Sequence, residues 1–260
     1  MNNSLVGQIK NLNWAYRNKP LFENLAIDLP KGVFISIIGP NGSGKTTLLR
    51  HLLRLLSTKK ETIIYPKGDI LNYSQKELAR YISYVPQKNR LEYDFTVYEV
   101  VSMARYSHLK NLQSLTKEDH LIIKNALTVM KIESLANQLA TELSGGEYQR
   151  MLIARALAQQ AAVILLDEPV SHLDLYNQKE ILKLLRELVD ERKATVITVL
   201  HDLNAVSTFS DLVVMLNEGK IVATGSVAEV LTKEKIKEVY QVDINLMESN
   251  GRPIILPRWE

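Results

Sequence analysis

Among the 260 residues there is no cysteine. Disulfide staples, thiolate nucleophiles and Cys-based zinc sites are therefore excluded, in keeping with a reducing compartment. Net charge is also nearly absent, at formal +3, which argues against a bulk nucleic-acid binder. No apolar run approaches the ~18 residues needed to span a bilayer. The start, Met1-Asn2-Asn3-Ser4, has no basic stretch followed by an apolar core, so no secretory signal is expected. Repeats, low-complexity tracts and linkers are missing too. What is present is 46% hydrophobic residues, enough for a sizeable core in one large domain or a core with a subdomain.

The most informative stretch is Gly39-Pro40-Asn41-Gly42-Ser43-Gly44-Lys45-Thr46. It satisfies G-x-x-x-x-G-K-[ST] in full. Its glycines let backbone N–H groups turn toward phosphate oxygens; Lys45 can reach terminal phosphates, and the Thr46 hydroxyl can hold Mg²⁺. Val33 to Ile38 before it reads as a buried strand. Thr47 to Leu53 after it reads as a helix whose N-terminus favours an anion.

Further strands are expected over Gly7–Tyr16, Leu25–Pro30, Glu61–Tyr65, Tyr81–Pro86, Val163–Asp167 and Thr195–Leu200. Leu212–Leu216 and Ile221–Ala223 should pair around Asn217-Glu218-Gly219-Lys220, and Asn250-Gly251 marks a last hairpin. Apolar spacings of three and four predict helices over Val97–Arg105, Lys117–Met130 and Ile132–Ala140, an all-helical insert. Helices are also expected over Gly146–Gln159 and Gln178–Arg192. Strands alternating with helices imply an α/β fold with a mostly parallel central sheet, an N-terminal antiparallel β layer beside it, and the insert. We expect one domain over 1–260, with a core of 1–90 and 141–260 and a helical subdomain of about 91–140.

Two other constellations carry chemistry. Asp167-Glu168-Pro169 ends a run of four apolar residues, where acids at the carboxyl end of a strand face a ligand crevice. Asp167 can help hold Mg²⁺ and Glu168 is a candidate general base for water; taken alone, the pair could equally cap the next turn. Leu143-Ser144-Gly145-Gly146-Glu147-Tyr148-Gln149-Arg150 offers Ser144 as N-cap and two glycines that expose N–H groups, a second anion site or an ordinary capped helix.

Together these residues resemble the ATP-binding cassette (ABC) ATPases over essentially the whole chain: Gly39 to Thr46 as Walker A, Val163 to Glu168 as Walker B, Ser144 onward as the signature motif. The resemblance implies further roles. ATP and Mg²⁺ would be bound, with Thr47 following the phosphate loop, Tyr16 stacking on adenine (Trp14 is a neighbouring alternative) and Gln87 contacting Mg²⁺ or the attacking water. Ser171-His172-Leu173-Asp174 would form the D-loop, bringing Asp174 to nucleotide, and His201 would be the switch histidine near the γ-phosphate. Two departures stand out: Val170 in place of Thr or Ser, and Glu147 in place of the commoner Gln. Neither removes a catalytic group.

The resemblance also implies a head-to-tail homodimer in which each ATP lies between Lys45 and Thr46 of one copy and Ser144, Gly145 and Gly146 of the other. Phe95 to Val101, and Gly219 to Gly225, are similar to the importer group for iron–siderophore, haem and cobalamin. That group implies a transmembrane permease and an extracytoplasmic substrate-binding protein as partners, a peripheral position on the cytoplasmic membrane face, and no nucleic acid. Rival readings are an importer for another substrate class, a soluble ABC ATPase and a non-hydrolysing assembly module. The short, heptad-free interval between Walker A and signature, and the retained Glu168 and His201, weigh against the last two.

Overall fold

A computed structural model describes residues 4–87, 94–110, 113–171, 173–192 and 194–258. The expected core boundary at 90/91 and the D-loop residue His172 lie outside the described residues. Along the chain run β1 (Leu5–Tyr16), β2 (Lys19–Pro30), β3 (Phe34–Ile38), α1 (Lys45–Leu52), β4 (Ile63–Tyr65), β5 (Gly68–Asp69), α2 (Gln75–Tyr81) and β6 (Ile82–Val85). Then come α3 (Val97–Ser102), α4 (Lys117–Val129), α5 (Gly145–Ala158), β7 (Val163–Asp167), α6 (Leu175–Arg192) and β8 (Thr195–Val199). The chain closes with α7 (Leu203–Phe209), β9 (Leu212–Asn217), β10 (Lys220–Gly225), α8 (Val227–Val230), α9 (Lys233–Tyr240), β11 (Ile244–Ser249) and β12 (Arg252–Pro257). Among the described residues no helix is long and apolar enough to cross a membrane.

The chain divides into two compact units, Met1–Asn72 with Val189–Glu260, and Tyr73–Leu188. In the first, an antiparallel sheet has the order β2-β1-β4-β5. A second sheet places β3 between β9 and β8, parallel to both, with β10 antiparallel on β9. Every residue of β3 and β8 is buried, as expected of strands covered on both faces. The β11–β12 hairpin turns through Asn250 (φ 50) and Gly251 (φ 73), the pair of left-handed residues that its sequence predicts.

In the second unit β6 and β7 pair in parallel, Ile82 with Val163 through Val85 with Leu166. The helices α3, α4 and α5 each start at a capping box: Thr96 with Glu99, Thr116 with Asp119 and Ser144 with Glu147. A buried ion pair joins Arg105 Nε to Asp119 Oδ1 at 2.8 Å. The Arg105 Nη1 also donates to the Ala158 carbonyl at 2.9 Å, which satisfies the last turn of α5. The Thr116 hydroxyl, then Arg105, holds the Asp119 carboxyl at about 2, so the pair survives well into acid.

Three expectations are corrected. Ile132–Ala140 is not a helix; only Glu133–Leu135 and Ala140–Glu142 form short 3₁₀ turns. Its backbone is used elsewhere: the carbonyls of Gln138 and Ala136 accept from Val97 and Tyr98 N–H at 2.9 Å each, and the Ala140 N–H donates to Phe95 O at 2.8 Å. Those bonds complete the start of α3, so the apolar spacing reports burial rather than helical period. The predicted helix over 97–105 ends at Ser102 and continues as a 3₁₀ turn, Met103–Ser107. The helix α2 was not expected, although Ser74 and Glu77 form a capping box ahead of it.

Candidate active site

The phosphate loop leaves β3 and enters α1 within the first unit. Its three glycines have left-handed backbone: Gly39 (φ 146), Gly42 (φ 81) and Gly44 (φ 104). At Gly39 a Cβ would lie 2.0 Å from the Leu216 carbonyl oxygen of β9, so glycine there is required by a distant strand as well as by its own torsion. The Gly219 N–H donates to the Ser43 carbonyl at 3.1 Å, tying the loop to the β9–β10 turn. Inside the loop, Lys45 Nζ donates to the carbonyls of Gly39 (2.8 Å) and Pro40 (2.9 Å). The Ser43 Oγ is buried with no hydrogen-bond partner among the described residues. The helix α1 has no side-chain cap and no acid in its first turn. A helix start without a side-chain cap, a buried orphan hydroxyl and a lysine folded over the loop are a cradle suited to a phosphate.

Tyr16 ends β1 with 46% of its surface exposed. Its hydroxyl shares a hydrogen bond with Thr47 Oγ1 at 3.1 Å, which places an accessible ring beside the first turn of α1. Trp14, the alternative, is edge-on to the His51 ring at 4.8 Å, and its Nε1 is buried without a partner among the described residues. His201 follows β8 and is exposed, next to Asp202, whose carboxylate accepts from the Asn204 N–H at 2.8 Å to cap α7.

The remaining predicted residues lie in the second unit. β7 carries Asp167 at its buried end, 1% exposed, with the Tyr84 hydroxyl 3.5 Å from Asp167 Oδ2. Glu168 takes a left-handed backbone (φ 50), unusual for a long side chain, and turns the chain out of the strand. Its Oε2 accepts from Gln87 Nε2 at 2.5 Å, so two residues far apart in sequence meet. The Ser171 hydroxyl donates to the Glu168 carbonyl at 2.9 Å and closes that turn. At the start of α5, Ser144 Oγ donates to Glu147 Oε2 at 2.6 Å while Glu147 N–H donates back at 3.4 Å. Hydrogen bonds from Ser144 lower the Glu147 carboxyl below its usual range. The unusual Glu147 therefore completes a charged capping box.

Asp174, expected at nucleotide, caps α6: its carboxylate accepts from the Asn177 N–H (2.9 Å) and Asn177 Nδ2 (2.7 Å), and those bonds lower its carboxyl below the usual range. Among the described residues no group of three or more His, Asp or Glu gathers as a metal cluster. The first unit offers the Thr46 hydroxyl, and the second the Gln87 amide and the Asp167 carboxylate; each is the hard-oxygen type of donor that Mg²⁺ takes, beside phosphate and water.

Two residues escaped sequence reasoning. The Tyr240 hydroxyl, at the end of α9, is buried beside the Gly39 amide without a full hydrogen bond; burial pushes its phenol up to about 12. His51 on α1 is fully buried between Trp14 and Phe22, and neither ring nitrogen has a hydrogen-bond partner among the described residues. Burial lowers it from 6.5 to about 4. The unfolded chain thus takes up a proton between pH 6.5 and 4 that the folded chain refuses. Stability should be complete above pH 6.5 and fall by up to roughly 3 kcal/mol as pH drops toward 4. His51→Phe should flatten that slope in urea titrations; an unchanged slope would assign the acid lability elsewhere.

Comparison with known proteins shows the family. The sequence model of the family described as "ABC transporter" matches residues 22–171. The ferric enterobactin transport ATP-binding protein of Escherichia coli strain K12 is 39% identical over 95% of this chain and 92% of its own. The hemin import ATP-binding protein of Shewanella denitrificans is 36% identical, covering 95% and 99%. Among solved structures, an inward-facing metal-chelate type ABC transporter superposes with a TM-score of 0.86 at 29% identity, over 98% of both chains. A dimeric ATP-binding cassette in a post-hydrolysis state with ADP and phosphate gives 0.73 at 27% identity, over 85% of this chain and 98% of that one.

Proposed function

Because the chain belongs to the ABC transporter family of ATP-binding proteins, we propose that it is the ATP-hydrolysing subunit of a membrane importer for iron chelates such as siderophores or haem, or for cobalamin. The observation that carries this reading is the phosphate cradle: left-handed Gly39, Gly42 and Gly44, an uncapped α1 and the orphan Ser43 hydroxyl. Lys45 turns from the loop carbonyls to the terminal phosphates of ATP, and Tyr16 offers its exposed ring to adenine. Thr46, Asp167 and Gln87 would hold Mg²⁺, which supplies charge neutralisation at the phosphates. Glu168 orients and deprotonates the attacking water, and His201 contacts the γ-phosphate. In this structure Gln87 Nε2 donates to Glu168 Oε2, a bond that Gln87 gives up when it turns to Mg²⁺.

A second copy contributes Ser144, Gly145 and Gly146, whose N–H groups grip the same phosphates. Loss of the γ-phosphate removes that anion and lets the pair separate, which is the mechanical output. A transmembrane permease receives this movement at the cytoplasmic membrane face, and an extracytoplasmic binding protein delivers cargo.

Affinity purification of the tagged chain from membranes should recover a multi-span permease, and uptake of a radiolabelled ferric chelate should require both. Recovery of ribosomal or DNA-repair partners instead would favour a soluble ABC ATPase. Permease recovery with uptake of an unrelated solute would move the chain to another importer class.

A further inference from the structure

Gly146, the second residue of α5, is not among the glycines of positive φ, so its torsions accept a side chain. What crowds a side chain there is a neighbour. A Cβ at Gly146 would meet Asn177 Oδ1 at 2.8 Å and Cγ at 2.9 Å, with Nδ2 at 3.2 Å. The whole carboxamide therefore lies flat against the glycine. Asn177 is in turn fixed by Asp174, through both its N–H and its Nδ2. One residue earlier, a Cβ on Gly145 would touch Leu173 Cδ2 at 3.7 Å. The turn Ser144–Gly146 thus rests on the chain that opens α6.

We propose that Asn177 is a positioning residue for the Ser144–Gly146 turn, with Asp174 clamping its carboxamide so that the turn's N–H groups are aimed at the phosphates of the neighbouring copy's ATP. The inference rests on the composite-site reading above. It gives the Asp174 carboxylate a part in nucleotide binding without contact: the acid sets Asn177, and Asn177 sets the turn. Misplacing such a turn by a fraction of an ångström weakens every N–H bond it makes at once.

The test uses the full-length chain in a Glu168→Gln background, where bound ATP persists. ATP is titrated while dimer formation is followed by light scattering. Asn177→Ala should raise the ATP needed for half-maximal dimer about tenfold. Binding of a fluorescent ATP analogue to the monomer, at protein concentrations too low for dimers, should not change. Asp174→Ala, which frees the carboxamide without deleting it, should shift dimerisation in the same direction. Gly146→Ala should be more harmful alone than when combined with Asn177→Ala, because the double variant removes the colliding group. Thermal midpoints within about 4 °C of the parent establish that the variants are folded.

Unaltered ATP dependence in Asn177→Ala, or an undiminished Gly146→Ala penalty in the double variant, overturns the role of Asn177. Failure of a different kind has a different signature. If the parent never dimerises with ATP, or if Ser144→Arg leaves its dimerisation intact, the composite site itself is wrong and this inference goes with it.

Discussion

Glu168→Gln will lower steady-state ATP hydrolysis by about a thousandfold while ATP binding persists, because a positioned general base typically contributes 10²–10⁴ and an amide cannot take a proton. The substitution is nearly isosteric. It keeps the left-handed turn after β7, and the Ser171 hydroxyl still closes that turn on the residue 168 carbonyl. The short contact from Gln87 Nε2 loses its charge but not its geometry, since a glutamine carbonyl can accept the same bond. Structure and nucleotide affinity should therefore be retained while turnover is lost. The bound triphosphate then persists, and the protein should run as a dimer on gel filtration with Mg²⁺ and ATP. Turnover within tenfold of wild type would remove Glu168 from the role of base; a monomer under saturating ATP would instead count against the composite site.

Lys45→Ala should abolish turnover, by about a thousandfold or more, and should also weaken ATP binding. This double loss separates it from Glu168→Gln. The ammonium is almost buried and holds the carbonyls of Gly39 and Pro40 at 2.8 and 2.9 Å. Truncation deletes the charge offered to the terminal phosphates and leaves those loop carbonyls short of a donor, at a further cost of about 1–3 kcal/mol. Lys45→Arg should rescue poorly, because a planar fork cannot occupy the place of a compact ammonium inside so tight a loop. Calorimetric titration with MgATP, alongside phosphate release, checks both halves. Wild-type affinity in Lys45→Ala would mean that the lysine serves only the chemical step.

Much of the candidate site was legible because its chemistry is local. Gly39, Gly42 and Gly44 announce left-handed backbone, and a buried run ending in Asp167 announces a strand with an acid at its tip. Ser144 with Glu147 announces a capped helix, and the capping box is what forms. Each of these signals spans a few residues, so a pattern within the sequence is enough to reveal it. Ile132–Ala140 shows where such reading stops, since α3 draws on carbonyls of that stretch which a helix would have kept for itself. The bonds that Asn177 gives to the Asp174 carboxylate, three residues back, were likewise not announced by the D-loop pattern.

By itself the sequence determined the phosphate loop, the acidic strand end, the capped turn at Ser144 and the Asn250-Gly251 hairpin, because torsional preference and capping act over three or four residues. Tertiary structure alone decided that Gly39 must be bare beneath the Leu216 carbonyl, that His51 is sealed neutral between Trp14 and Phe22, and that Gln87 meets Glu168. It also decided that Asn177 lies against Gly146. Steric exclusion and desolvation depend on which distant segments the packed chain brings within a few ångströms, and no local pattern of residues encodes that distance.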